Sequence, residues 1–218
     1  LEEQQFLFYP CFHMQTCLFE DPVWGCIKQL DSTAFIDLQQ DEEALWKNLR
    51  DKGRNMVRAG KRKGVTTCIA NEVRFFDLFY QMYQAVRTRL NTQYIGYKEL
   101  RTKFDAFTAQ GLADFWVAFL DDVPLAYSFM WTYNRYLNYV YNSSHPEYLK
   151  YNPNNVLQWD MICYYKERGY TLYNMWGVRN MNLSEKNALR PDRDIEGYGR
   201  FKLSIGAELR DLVRYVKL

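Results

Sequence analysis

Residues 135–178 read RYLNYVYNSSHPEYLKYNPNNVLQWDMICYYKERGYTLYNMWGV, and this stretch decides the fold. Its first part, Tyr136-Leu137-Asn138-Tyr139-Val140-Tyr141, mixes β-prone aromatic and aliphatic residues with polar ones, as a half-buried strand does. From Asn142 to Asn155 the apolar period disappears, and Asn, Ser, Pro and His set turns. Asn154 and Asn155 are N-cap candidates for a helix. That helix places Val156, Trp159, Ile162, Cys163 and Lys166 on one stripe, and Lys166, Arg168 and Gly169 form its basic, glycine-ended stop. Tyr170 to Met175 is a second strand. A strand that feeds a helix N-terminus through a polar loop gathers unpaired N–H groups and the positive end of a helix dipole. Such a place suits an anionic or acyl-carrying ligand. The same unit also occurs as plain architecture with no ligand.

Outward from this unit the chain reads as mixed α/β. Residues 1–33, with Pro10, Pro22 and Gly25, form a lead-in of strand and loop. Ala34–Leu38 is expected as a strand, Asp41–Lys63 as one basic helix and Val65–Ala70 as a strand. Glu72–Leu90 is a helix whose Val73, Phe76, Phe79, Tyr80, Tyr83 and Val86 recur at helical spacing, a core stripe. Tyr97–Gln110 is another helix, stopped by Gly111. Strands at Asp114–Leu120 and Pro124–Thr132 are joined by a tight Asp121-Asp122 turn. After residue 178, Arg179–Gly199 is polar and reads as a loop over the site. Arg200–Ser204 is a short helix and Leu209–Val216 an end strand. This order predicts a mostly antiparallel sheet with one parallel β-α-β crossover.

Composition excludes several function classes. The 218 residues are 48% hydrophobic and 17% aromatic, enough for a sizeable core. No window approaches twenty consecutive apolar residues, so no transmembrane segment is expected, and no signal peptide is visible. The five cysteines lack a C-x-x-C pair, which points to reduced thiols in the cytoplasm rather than a disulfide frame or a zinc site. His13 and His145 are the two histidines, and neither has metal-ligand spacing, so no metal is expected. Net charge is only +2, yet Lys47, Arg50, Lys52, Arg54, Arg58, Lys61, Arg62 and Lys63 cluster with Asp51 as the single acid among them. This run is either a solvated helix face or an anion-binding surface with Arg54 and Arg58 toward phosphate. No motif with stacked aromatics is present, so an RNA contact would run to the backbone. Nothing points to DNA.

The Pro153, Asn154, Leu157, Gln158, Trp159, Ile162, Gly169 and Gly177 positions resemble the FemAB family of the N-acyltransferase (GNAT) superfamily, whose second domain reads close to P-N-x-L-L-Q-W-x-x-I. Asn174 stands where that family usually has Asp, and Tyr164 or Tyr165 where it has a small residue. Two further blocks agree with it. Arg54-Asn55-Met56-Val57-Arg58-Ala59, followed by Gly64-Val65, is similar to the family's R-N-x-x-R-x-A-x-x-x-G-V. Phe201-Lys202 with Gly206 is similar to its F-K-x-x-x-G. The resemblance covers about residues 34 to 215. It implies a GNAT-like domain over 34–218, with residues 1–33 as the remnant of a first GNAT-like domain.

The resemblance further implies transfer of an aminoacyl group from a charged tRNA to an amine of a peptidoglycan precursor or other peptide. Substrate-binding groups are then expected at Tyr139, Tyr141, Asn142, Ser143, Asn154, Asn155, Gln158 and Trp176, around a gap between 139–143 and 173–177. Lys202 is the expected catalytic cation, partly solvated, opposite the developing oxyanion. Acetyl-CoA enzymes of the superfamily wrap the pyrophosphate in a glycine-rich loop. The corresponding segment here, Tyr148 to Asn155, has no glycine, and Pro153 lacks an N–H, so no CoA cofactor is expected. No Ser, Cys or His constellation suggests a covalent intermediate. Two other readings stay open: a CoA-dependent acyltransferase acting on a small amine or peptide, and a non-catalytic domain binding RNA or a partner protein.

Overall fold

The computed structural model describes residues 26–178 and 197–217. Its strands are β1 (Cys26–Asp37), β2 (Thr66–Ile69), β3 (Ala113–Leu120), β4 (Val123–Tyr133), β5 (Tyr136–Ser144), β6 (Leu172–Gly177) and β7 (Glu208–Lys217). Its helices are α1 (Glu42–Asn48), α2 (Asp51–Arg62), α3 (Val73–Arg89), α4 (Tyr97–Ala109), α5 (Pro153–Glu167) and α6 (Gly197–Ser204). The strands form one sheet in the order β2-β3-β4-β5-β6-β1-β7. Neighbours are antiparallel except β5 and β6, which the α5 crossover makes parallel. The expected mixed fold with one parallel pair is therefore the observed one.

Local sequence explains the turns. Asp121 and Asp122 sit at φ 48° and 63°, and Asn134 and Arg135 at φ 46° and 64°. These are two-residue hairpin connections of the kind whose twist matches the flanking strands, built at Asp and Asn, which tolerate left-handed backbone. They make β3-β4-β5 a meander.

Each face of the sheet carries its own core. On one face Phe76, Phe79, Tyr80 and Tyr83 of α3 and Leu100 and Phe104 of α4 pack on Phe115, Tyr127 and Phe129. On the other, Leu45 and Leu49, Val57, α5 and Leu203 pack on Ala34, Ile36, Leu137, Tyr139, Tyr173 and Met175.

Several boundaries differ from expectation. The first strand begins at Cys26, because β7 pairs with it from Cys26↔Lys217 to Phe35↔Glu208. The basic helix is two helices with a break at Leu49-Arg50. Arg54 makes the break tenable, since its Nη1 donates to the α1 carbonyls of Lys47 (2.8 Å) and Leu49 (2.5 Å) and so satisfies a helix end. β5 extends to Ser144, which puts Asn142 and Ser143 in a strand instead of a loop. The N-cap of α5 is Asn152 at φ 56°, with Pro153 at the first helical position, so Asn154 and Asn155 lie inside the first turn. α5 is also buried more widely than one stripe. Leu157, Gln158, Met161 and Tyr165 face inward as well, because α2 covers the helix on the side away from the sheet. The polar segment expected as a loop over the site, Arg179–Gly199, lies outside the described residues as far as 196, and Gly197–Gly199 begin α6.

The corner between α1 and α2 receives the end of α6. Arg50 donates its N–H to the Ser204 carbonyl at 3.1 Å, and Gly206 passes beside Asn48 at φ +91°. Gly53 is what permits the approach, because a Cβ there would fall inside the radius of the Ser204 carbonyl oxygen. Helix propensity alone favours Ala over Gly by about 1 kcal/mol. The close backbone reverses the sign. Gly53→Ala is expected to destabilise the fold by about 1–3 kcal/mol, the usual cost of overpacking. Urea unfolding measures it, and a more stable variant would refute the packing at this corner.

Candidate active site

The parallel pairing of β5 and β6 is short. It covers Tyr136↔Leu172, Leu137↔Tyr173 and Asn138↔Asn174, and then stops. β5 continues beside β4 as far as Ala126↔Ser144. β6 instead follows β1, with a register shift between Thr33 and Phe35 and with Trp176 at φ 66°. A wedge therefore opens in the sheet between Tyr139–Ser144 and Met175–Gly177.

Asn174 sits at its apex. Its Oδ1 accepts from Thr33 Oγ1 (3.2 Å) and from the Trp176 N–H (2.9 Å). Its Nδ2 donates to Asn138 Oδ1 at 3.3 Å, and Asn138 Nδ2 donates on to the Trp131 carbonyl at 3.3 Å. One carboxamide thus ties together β1, β5 and the turn at Trp176. An aspartate at this position would supply acceptors only.

α6 delivers Lys202 to the mouth of the wedge. Its Nζ donates to the carbonyls of Trp176 (3.2 Å) and Gly177 (2.9 Å) and lies 5.4 Å from the Tyr198 ring centre. The side chain is buried, 7% exposed, and not partly solvated as the sequence suggested. Burial lowers its pKa to about 8. The two carbonyl acceptors favour the charged form. An ammonium has three N–H donors, and two of them are taken by these carbonyls among the described residues.

The first turns of α5 lie under the apex. Gln158 is fully buried, and its Oε1 accepts from the Tyr173 hydroxyl at 2.7 Å. The Tyr139 hydroxyl faces the same amide and Ser128, and burial pushes both Tyr139 and Tyr173 above the usual tyrosine range. Gln158 Nε2 and Ser128 Oγ lie against the Tyr139 hydroxyl, whereas Asn155 Nδ2 is buried with no hydrogen-bond partner among the described residues. Buried polar atoms in that state are rare and call for a ligand or water. Asn154 Nδ2 donates to Ser144 Oγ at 3.1 Å, which pins the start of α5 to the end of β5.

The sequence-predicted residues divide between two faces of the sheet. Tyr139, Asn154, Asn155 and Gln158 gather on the α5 side of the wedge. Tyr141 packs instead with the α3–α4 core, and Ser143 Oγ donates to the Phe79 carbonyl of α3 at 3.5 Å. Asn142 is exposed and lies opposite Ser128. Trp176 forms the left-handed turn beside Lys202. Arg54 is spent on capping α1, and the Arg58 guanidinium lies 5.2 Å above Trp46. Tyr173, Ser128, Asn138 and Thr33 belong to the site and were not singled out from the sequence. Their signal, a polar residue on the buried face of a strand, emerges only once strand partners are known.

Other chemistries find little support. Among the described residues no group of three or more His, Cys, Asp or Glu side chains is placed to hold a metal ion. Burial pushes the Cys163 thiol up to about 12, far from the depressed range of a nucleophilic cysteine.

The splayed parallel pair thus leaves the N-terminus of α5 at its open end. Residues 46–182 match the family described as the acetyltransferase (GNAT) domain. The chain belongs to that family. Among solved structures, FemX superposes on this GNAT domain with a TM-score of 0.69 at 15% identity, covering 84% of this chain and 61% of that one. The C-terminal domain of a protein described as a lysylphosphatidylglycerol synthetase from Agrobacterium fabrum gives 0.60 at 13% identity, covering 89% and 62%. L-PGS from Bacillus licheniformis gives 0.58 at 14%, covering 89% and 63%. The GNAT domain described here thus spans about three-fifths of each of these longer chains. No curated protein sequence matches it significantly.

The lowered pKa of Lys202 has a signed consequence. Between pH 8 and about 10.5 the unfolded chain holds a proton at Lys202 that the folded chain has released, so stability rises with pH across that window. Relative to Lys202→Met, which cannot titrate, wild type is expected to gain up to about 3 kcal/mol between pH 8 and 10.5. Paired denaturant unfolding at several pH values measures this gain. Parallel curves for the two proteins would show that Lys202 titrates as an ordinary solvated lysine.

Proposed function

We propose that this GNAT domain moves an aminoacyl group from a charged tRNA to an amine of a peptidoglycan precursor or another peptide acceptor. The observation that carries the reading is the buried Lys202 ammonium, held on the Trp176 and Gly177 carbonyls at the mouth of the wedge. It stands at the Phe-Lys position of the FemAB resemblance, and the likeness to FemX concerns the same fold.

The chemistry follows from that placement. The acceptor amine attacks the ester carbonyl of the aminoacyl group. The carbonyl π electrons move onto oxygen, giving a tetrahedral oxyanion. Collapse re-forms the carbonyl and breaks the bond to the ribose oxygen, which leaves as a hydroxyl after taking the proton the amine gives up. The Lys202 ammonium is the donor toward the oxyanion, in a site where burial strengthens the interaction. The unpartnered Asn155 Nδ2 serves to hold the acyl group in the wedge. No covalent enzyme intermediate is required.

A CoA donor fits less well. The segment before α5 is a 3-10 turn, Pro146–Tyr151, without glycine, and it uses the Tyr148 and Asn152 N–H groups internally. No helix among the described residues is long and apolar enough to cross a membrane. The reading places the reaction in the cytoplasm, where charged tRNA is found.

Two measurements test the proposal. In single-turnover assays with a pool of charged tRNAs and a cell-wall precursor, Lys202→Met is expected to slow transfer about 10²–10³-fold at a temperature where both proteins are folded. Transfer at the wild-type rate would remove Lys202 from the mechanism. Acetyl-CoA is expected to leave the melting temperature unchanged, whereas a bound ligand at 100 times its Kd adds about 2.7 kcal/mol. A saturable upward shift with micromolar acetyl-CoA would replace the tRNA donor with CoA.

A further inference from the structure

The sequence displays no run of aromatics that would stack on nucleic-acid bases, but the fold creates one. A 3-10 helix has three residues per turn, so side chains at i and i+3 eclipse. In the Pro146–Tyr151 turn this rule lines up His145, Tyr148 and Tyr151, with ring centres 5.1 and 6.4 Å apart and planes tilted by 53° and 47°. All three residues are half-buried, with Tyr148 and Tyr151 resting against the α5-side core and the His145 Nδ1 atom buried.

Two cations stand at the Tyr151 end. Lys63 Nζ lies 5.7 Å and Lys150 Nζ 5.3 Å from the Tyr151 ring centre, and Lys63 Nζ donates to the Lys150 carbonyl at 2.5 Å. Neither pairs with a carboxylate among the described residues, whereas Lys61, two residues from Lys63, is neutralised by Asp160 at 2.7 Å. The placement is enforced by Gly60, where a Cβ would meet Val156 Cγ2 at 2.5 Å and the Tyr151 carbonyl oxygen at 2.9 Å. Only glycine lets α2 seat against this turn and bring Lys63 to Lys150. The turn passes through Asn152 directly into the first turn of α5, beside the open end of the wedge.

We propose that the His145–Tyr148–Tyr151 ring series, with Lys63 and Lys150, receives the single-stranded 3′ end of an RNA. The rings take base faces and edges, and the two ammonium groups take the phosphates between them. Sequence-tolerant stacking flanked by cations is how proteins grip single strands. This inference rests on the aminoacyl-tRNA reading above: the strand bound is the unpaired end that carries the aminoacyl ester, and the wedge lies one helical turn further on. It moves the phosphate contacts from Arg54 and Arg58, which are engaged within the protein, to Lys63 and Lys150.

The test uses the full chain and a fluorescently labelled single-stranded RNA ending in CCA, read by anisotropy against salt. Lys63→Gln with Lys150→Gln is expected to lower the log–log salt slope by about 1.4 units, two contacts at about 0.7 each. Tyr148→Leu or Tyr151→Leu is expected to weaken binding about 5- to 100-fold. Lys98→Gln with Arg74→Gln removes the same charge elsewhere and is expected to change neither. With charged tRNA, the lysine pair raises KM and leaves kcat unaltered. If wild type binds the RNA and transfers the aminoacyl group while the lysine pair changes nothing, the surface is wrong and the aminoacyl reading stands. If the RNA binds in a lysine- and tyrosine-dependent way but no charged tRNA supports transfer, the surface stands and the donor reading falls. Loss of binding to a nucleoside diphosphate sugar in the lysine pair, with RNA binding intact, overturns the proposal in favour of the acceptor.

Discussion

The Asn174 carboxamide is the interaction on which the rest of the site depends. It uses both of its ends, accepting from β1 and from the backbone of the Trp176 turn while donating to β5. Buried amides are stabilising only when so fully engaged. Because the three bonds converge at one point, β6 can leave β5 there without orphaning polar groups. The carbonyls of Trp176 and Gly177, freed from a β5 ladder, become acceptors for Lys202. The wedge, the left-handed turn and the buried cation are one arrangement.

Packing also sorts the charges of the chain. Among the cations of the α1–α2 region, Arg54 closes a helix, Arg58 covers Trp46 and Lys61 meets Asp160. A basic run in sequence is therefore an inventory of charges whose availability is decided by packing. Lys202 shows the converse. A single lysine in an unremarkable segment is the buried one, because α6 is drawn into the α1–α2 corner over Gly53. The desolvation that lowers its pKa also raises the value of its charge to a nearby oxyanion.

Much of the fold was legible because the strongest signals were local. The Asp121-Asp122 pair marks a hairpin, the aromatic period of α3 marks a buried face, and the crossover unit has a clear β-α-β pattern. What the sequence did not reveal depended on partners distant in the chain. The break at Leu49-Arg50 carries no proline or glycine and is stabilised by a guanidinium several residues later. The extension of β5 to Ser144 comes from pairing with β4, which overrides the turn character of Asn142 and Ser143. The burial of α5 on more than one side depends on α2 lying over it. Of the residues around the wedge, the resemblance singled out Gln158 and Lys202, while Tyr173 and the alignment of the rings at 145, 148 and 151 depend on a register and a 3-10 turn that periodicity does not announce.

The sheet order has a consequence for biosynthesis. β1 is the first described strand to leave the ribosome, yet its neighbours are β6 and β7, and its pairing with β7 runs from Cys26↔Lys217 inward. The strands β2 to β5, of which β3, β4 and β5 are joined by hairpins, can close on themselves under α3 and α4 as they emerge. β1 must wait through all of that synthesis for its partners, with both of its edges unsatisfied. Such long-range pairing is slow, and unpaired strands are where nascent chains associate wrongly. The half of the molecule that holds Lys202 and the Trp176 turn is accordingly the half assembled last, so a chain stalled short of residue 208 carries a finished β2–β5 sheet and an unassembled wedge.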